Sequence, residues 1–103
     1  MEIFAYASGS ELRGEAMLEE MIGEKVVIDL RSTYVCLGTL KAVTPDFLVL
    51  QNADLHDLRD TETTRENYIA ETIATGINRN RKKLWLMRTD IVAIARLSDV
   101  VET

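Results

Sequence analysis

Cysteine, histidine and proline each occur once in this 103-residue chain. The single cysteine, Cys36, excludes an internal disulfide. It lies inside an apolar run, so it reads as a buried free thiol, which fits a reducing compartment. The single histidine, His56, stands beside Asp54 and Asp57, with no further ligands at metal spacing. It is expected as a surface or hydrogen-bonded side chain, and no metal or other cofactor is expected. Long apolar runs are missing, since none approaches the roughly 20 residues that span a bilayer. The first ten residues, MEIFAYASGS, lack the basic start and long apolar middle of a signal peptide. A cytoplasmic protein without membrane contact is expected. There is no nucleophile with a histidine base, no glycine-rich phosphate loop and no metal cluster, so the chain does not read as an enzyme.

A basic excess is lacking too. The net charge is −5, which speaks against a general, charge-driven nucleic-acid binder. The distribution is uneven, however. Residues 1–66 hold 6 Lys/Arg against 13 Asp/Glu, whereas residues 67–103 hold 6 against 4. The basic part is concentrated in RNRKK, residues 79–83.

What is present is enough for one domain, residues 1–103, with a core of its own; 47% of residues are hydrophobic. Ser8 with Glu11 three residues on has the form of a capping box, predicting a helix over 8–22 that Gly23 stops. Residues 24–53 hold three strands. In EKVVIDLRS, Val26, Ile28 and Leu30 share one face and Val27, Asp29 and Arg31 the other, as in a half-buried strand. TYVCLGTLKAV is the second, where the interior Gly38 marks a bend or a close backbone approach. TPD, with Pro45, supplies a turn. FLVLQNA is the third and is apolar on both faces. Residues 54–83 form a polar, acidic insertion in which TRENYIAETIATG spells a short helix stopped by Gly76. Residues 84–97, LWLMRTDIVAIARL, give two apolar strands meeting at Arg88-Thr89-Asp90. The fold class is mainly β: five short strands in a small SH3-like barrel, with an N-terminal helix and a helix-containing insertion.

This order resembles the Sm/LSm family, whose bacterial branch includes Hfq. The resemblance covers most of residues 17–97. It rests on the helix MLEEMIG, on the first motif (Val26, Ile28, Leu30, Gly38, Leu40 and the run Phe47–Leu50) and on the second, LWLMRTDIVAI. There Arg88 matches the motif's arginine, and Thr89 stands where glycine is usual. HDLRD, GINRNRKK and ARLSDV also resemble a set of bacterial Sm-like proteins in which a long connection replaces the short loop between the third and fourth strands. The resemblance implies a homo-oligomeric ring of five to seven subunits. The fourth and fifth strands would pair with those of neighbouring copies through Leu84, Leu86, Ile91, Ala93 and Ala95. Free edges so apolar aggregate unless covered. It also implies single-stranded RNA as partner, with the ring acting as RNA scaffold or chaperone. The turns that line the pore would present Thr44, Pro45, Asp46, Phe47, Arg88, Thr89 and Asp90. The chain departs from the family in one place: VTPDF lacks the usual Asn of the base pocket and has Thr44 where Asp is usual. The alternative function is a ring without RNA affinity whose insertion, 54–83, receives a protein partner.

Each candidate has two readings. Arg88 can stack on a base and bond phosphate, or pair with Asp90 or Asp46 and fix the corner. Arg79, Arg81, Lys82 and Lys83 can follow a phosphate backbone, or neutralise the acidic arm before them. Tyr68 and Trp85 can stack bases, but side chains of this kind more often pack the insertion helix and the core.

Overall fold

The computed structural model describes residue 14, residues 16–60 and residues 62–101. Five strands form one antiparallel sheet: β1 (Lys25–Leu30), β2 (Tyr34–Val43), β3 (Phe47–Asp57), β4 (Arg81–Met87) and β5 (Ile91–Arg96), in the order β4-β3-β2-β1-β5. One helix, α1 (Arg65–Thr75), lies in the connection between β3 and β4. Of the helix expected over 8–22, residue 14 and residues 16–19 are helical; its expected start at Ser8 and Glu11 lies outside the described residues. Gly23 follows at φ +92° and ties that turn to β2, its N–H donating to the Leu40 carbonyl at 2.8 Å. No helix among the described residues is long and apolar enough to cross a membrane.

The alternation in β1 puts Val26 and Ile28 into the main core with Cys36, Leu40, Leu48, Leu50, Ala53 and Leu86. The second face of β1 is also covered, so this strand is not half-buried as its pattern suggests. Val27 is buried with Val35 and Leu37 under Tyr68 and Ile69 of α1. Full burial of an aliphatic side chain stabilises by about 1.5–3 kcal/mol, which is what holds the insertion helix against the sheet. It also explains why Val35, Cys36 and Leu37 are consecutively apolar: β2 is buried on both faces.

α1 forms where the sequence marks it. The Thr64 hydroxyl accepts from the Asn67 N–H at 3.2 Å, and Gly76 closes the helix at φ +91°, as N- and C-capping require. The strands around it are longer than their apolar runs. β3 continues to Asp57 because His56 and Asp57 stay in register with Val35 and Tyr34. β4 begins at Arg81, opposite Ala53. The connection is therefore residues 58–80, shorter at both ends than the polar stretch 54–83.

Gly38 is where β2 and β3 press together. A Cβ there would come within 3.0 Å of the Ala53 Cβ and 3.1 Å of Leu50. The ladder slips a register between Leu37 and Thr39, and Asn52 takes a φ of +51° beside it. This bulge bends the long β2–β3 pair. Although only Arg88–Asp90 separates β4 from β5, β4 pairs with β3 and β5 with β1. Among the described residues the sheet is left with two edges instead of a closed seam.

Candidate nucleic-acid interface

Two turns meet at one corner of the sheet. In the β2–β3 turn the Thr44 hydroxyl accepts the Phe47 N–H at 2.9 Å, and the Thr44 N–H donates to the Phe47 carbonyl at 2.9 Å. In the β4–β5 turn the Arg88 N–H donates to the Asp46 carbonyl at 2.9 Å. The Arg88 guanidinium donates through Nη1 to the Thr44 carbonyl at 2.8 Å. Where the sequence suggests a pair with the Asp90 or Asp46 side chain, these bonds reach main-chain oxygens of the facing turn, those of Asp46 and Thr44. Arg31 joins the β1–β2 turn to the same corner: its Nε donates to the Thr89 carbonyl at 2.7 Å and its N–H to that of Asp90 at 2.8 Å. Thr44, Asp46, Phe47, Arg88, Thr89 and Asp90 are brought together, with Pro45, Asp46, Thr89 and Asp90 exposed.

The basic run lies elsewhere. Arg79, Arg81, Lys82 and Lys83 are exposed at the start of β4. Seven residues of extended chain separate Arg81 from Arg88, about 23 Å at 3.3 Å per residue. Within the chain the structure does not unite the two groups. Arg79 Nη1 donates to Asn52 Oδ1 at 2.5 Å and Arg81 Nη1 to the Asn80 carbonyl at 3.0 Å. One acid of the arm, Asp57, finds a cation of its own. Arg59 Nη2 meets Asp57 Oδ2 at 2.7 Å, and its hydrogen bonds hold the Asp57 carboxyl below the usual carboxylate range. At the helix start, Arg65 pairs with Asp29.

β4 alternates. Leu86 is buried and Leu84 packs against the core, as does Ile91 of β5. Ala95 rests on the second cluster, under α1, and Ala93 is exposed. Trp85, expected in the core, is instead 59% exposed, because the inward positions of β4 are taken by its neighbours. It rests on Phe47 with ring centroids 5.7 Å apart. Met87 and Val92 are exposed as well, at 55% and 66%. The unpaired edges thus carry three large outward apolar side chains that the expected set does not include.

The sequence matches no protein-family model and no curated protein. The backbone does have solved counterparts. A Pyrococcus abyssii Sm protein in complex with a uridine heptamer superposes at a TM-score of 0.55 and 13% identity, covering 79% of this chain and 93% of its own. A heptameric archaeal Sm protein gives 0.53 and 20%, covering 79% and 96%. An Sm-like protein from Archaeoglobus fulgidus gives 0.54 and 15%, covering 86% and 93%.

The chain has the Sm fold.

On this Sm fold the insertion adds polar chemistry that sequence spacing does not announce. Asp54 is 8% exposed. The Tyr68 hydroxyl donates to its Oδ2, and Asn80 Nδ2 donates to its Oδ1 at 3.0 Å. Asn80 also clamps Leu55, donating to its carbonyl and accepting its N–H, both at 3.0 Å. His56 stacks on Tyr68 at 4.2 Å and 12°. Tyr68 is therefore a core side chain, as expected, and burial first and Asp54 second push its hydroxyl above the ordinary tyrosine value. Asp54 and His56 alternate on one face of β3, where the sequence pattern ends the strand at Ala53 and places both in the insertion. Their partner Tyr68, 14 and 12 residues on, was not legible either. Among the described residues no group of three or more His, Cys, Asp or Glu side chains could hold a metal ion.

Proposed function

We propose that this chain assembles as a homo-oligomeric ring of five to seven subunits and serves as a scaffold or chaperone for single-stranded RNA. The observation that carries this reading is the pair of open edges. Among the described residues β4 and β5 each bond one neighbouring strand, and Trp85, Met87 and Val92 stand exposed beside them. Edges of this kind are covered in a stable protein, and a head-to-tail contact that closes covers every edge at once. The similarity to a heptameric Sm protein and to one in complex with a uridine heptamer supports both halves of the reading. RNA would meet the corner of Phe47, Arg88 and Thr89 beside Asp46, which every subunit repeats. Repetition turns a weak contact into avidity. Arg79, Arg81, Lys82 and Lys83 would hold backbone phosphates farther out.

The test is binding of short poly-U, poly-A and mixed RNAs at two salt concentrations, with light scattering on the same sample. Arg88→Lys keeps the charge and removes the planar fork. A second variant replaces Arg81, Lys82 and Lys83 by Gln. Affinity lost in Arg88→Lys with little salt dependence marks the corner, and a steep salt slope lost in the triple variant marks the basic run. Failure of the wild-type ring to bind any of these RNAs at low salt retires the RNA half. A monomer at micromolar concentration retires the ring.

A further inference from the structure

The insertion creates a cleft that the corner does not share. It lies between the last residues of β3, one side of α1 and the entry to β4, and its volume is about 550 Å³. Small-molecule pockets occupy roughly 300–1,000 Å³. Asp54, His56, Thr72, Thr75, Arg79 and Asn80 are among its walls.

The chemistry of the walls limits what fits. They are polar on most sides, which disfavours an apolar ligand. The Thr72 and Thr75 hydroxyls donate to carbonyls of their own helix, Tyr68 at 3.1 Å and Glu71 at 2.8 Å, so each oxygen keeps its capacity as an acceptor. The Glu71 carboxylate, also in the wall, is a further acceptor. The oxygens of Asp54 are already engaged by Tyr68 and Asn80. One ring nitrogen stands apart: His56 Nε2 is buried and finds no hydrogen-bond partner among the described residues, although its ring is fixed by the stack on Tyr68. A buried polar atom in this position is costly unless something bonds it. Arg79 is exposed and has one N–H on Asn52. A guanidinium has five, and the basic residues Arg81, Lys82 and Lys83 follow directly in sequence.

We propose that this cleft binds one nucleotide, its heteroaromatic base inward and its phosphate toward Arg79. The base edge and ribose hydroxyls would meet His56 Nε2, the two threonine hydroxyls and Glu71. An anion oriented the other way would face Glu71 and Asp54. The nucleotide can be a free mononucleotide or one residue of a single-stranded RNA following the basic start of β4. The site is separate from the pore corner and does not depend on the ring reading.

His56 is the chain's one histidine, so its imidazole resonances report the cleft without assignment by mutation. The full-length protein is titrated with adenosine and uridine monophosphates, with inorganic phosphate, and with short poly-A and poly-U. His56→Phe keeps a ring against Tyr68 and removes Nε2, and is followed by calorimetry. Arg79→Gln removes the charge and can still bond Asn52, and is followed at His56. Saturable shifts of His56 with a mononucleotide but not with phosphate are expected, and each variant should weaken binding about tenfold, near 1.4 kcal/mol. His56 signals that no nucleotide or RNA moves overturn the proposal. So do equal shifts with phosphate alone, or unchanged affinity in both variants. RNA binding with a silent His56 removes the cleft and leaves the corner. A mononucleotide effect in a protein that binds no RNA does the reverse.

Discussion

Arg88 Nη1 donates to the carbonyl of Thr44 at 2.8 Å, across 44 residues of sequence. This bond joins the β2–β3 turn to the β4–β5 turn, and with the Arg88 N–H on Asp46 it makes the two turns one rigid corner. A charged donor on a half-buried carbonyl contributes more than a neutral one. Arg88→Ala should lower stability by about 1–3 kcal/mol in urea unfolding, with Arg88→Lys losing less. An unchanged midpoint in Arg88→Ala would mean that the corner stands without the pin.

Gly38→Ala should destabilise as strongly. The new Cβ meets the Ala53 Cβ at 3.0 Å and, more tellingly, the Ala53 Cα at 3.1 Å. Backbone cannot swing aside as a side-chain tip can. Overpacking of this kind costs about 1–3 kcal/mol. Ala53→Gly in the same chain removes one of the three close contacts and should recover part of the loss, which denaturant midpoints of the single and double variants will show.

Tyr68→Phe leaves the buried Asp54 carboxylate with Asn80 and without the phenol. The expected cost is about 1–3 kcal/mol, concentrated in the docking of α1. Amide hydrogen exchange should therefore rise across residues 65–75 before it rises in β1 or β2. Uniform acceleration over the whole chain would place the bond's effect in the global fold instead.

The Cys36 thiol is pushed up to about 12 from an ordinary 9.0, by burial first and by the Asp54 charge second. Between those values the unfolded chain has released the proton and the folded chain keeps it. The unfolded state binds fewer protons there, so stability is full below pH 9.0 and falls as pH rises toward 12. Tyr68, also raised, adds a loss of the same sign above its ordinary value of 10.0. Urea midpoints on the two sides of pH 9.0 should separate in the wild type and draw closer in Cys36→Ala.

If the proposed ring covers its edges, Trp85→Glu or Val92→Glu should break assembly and spare the single subunit. Both side chains point away from the core, so the fold loses little, whereas a charge on a covered edge is desolvated. Light scattering should shift from ring to protomer mass with the far-UV spectrum unchanged. A ring that survives both variants places the subunit contact elsewhere.

Much of this arrangement was written locally. Period-2 alternation marked β1, and unbroken apolar runs marked β3, β4 and β5. The spacing up to Gly76 marked α1, and a lone interior glycine marked the β2–β3 bend. Such signals are local because each reflects backbone geometry within a few residues. They say which side chains share a face and not what covers it. Val27 shares a face with Asp29 and Arg31, and only the docking of α1 buried it. Trp85 lay in an apolar run, and only the inward turn of Leu84 and Leu86 left it exposed. The partner of Arg88 and the enclosure of Asp54 by Tyr68 and Asn80 came from the same source. Sequence spacing sets no distance between residues 44 and 88, or between 54 and 80. Those distances are set by the order of strands in the sheet and by the helix packed on its outer face.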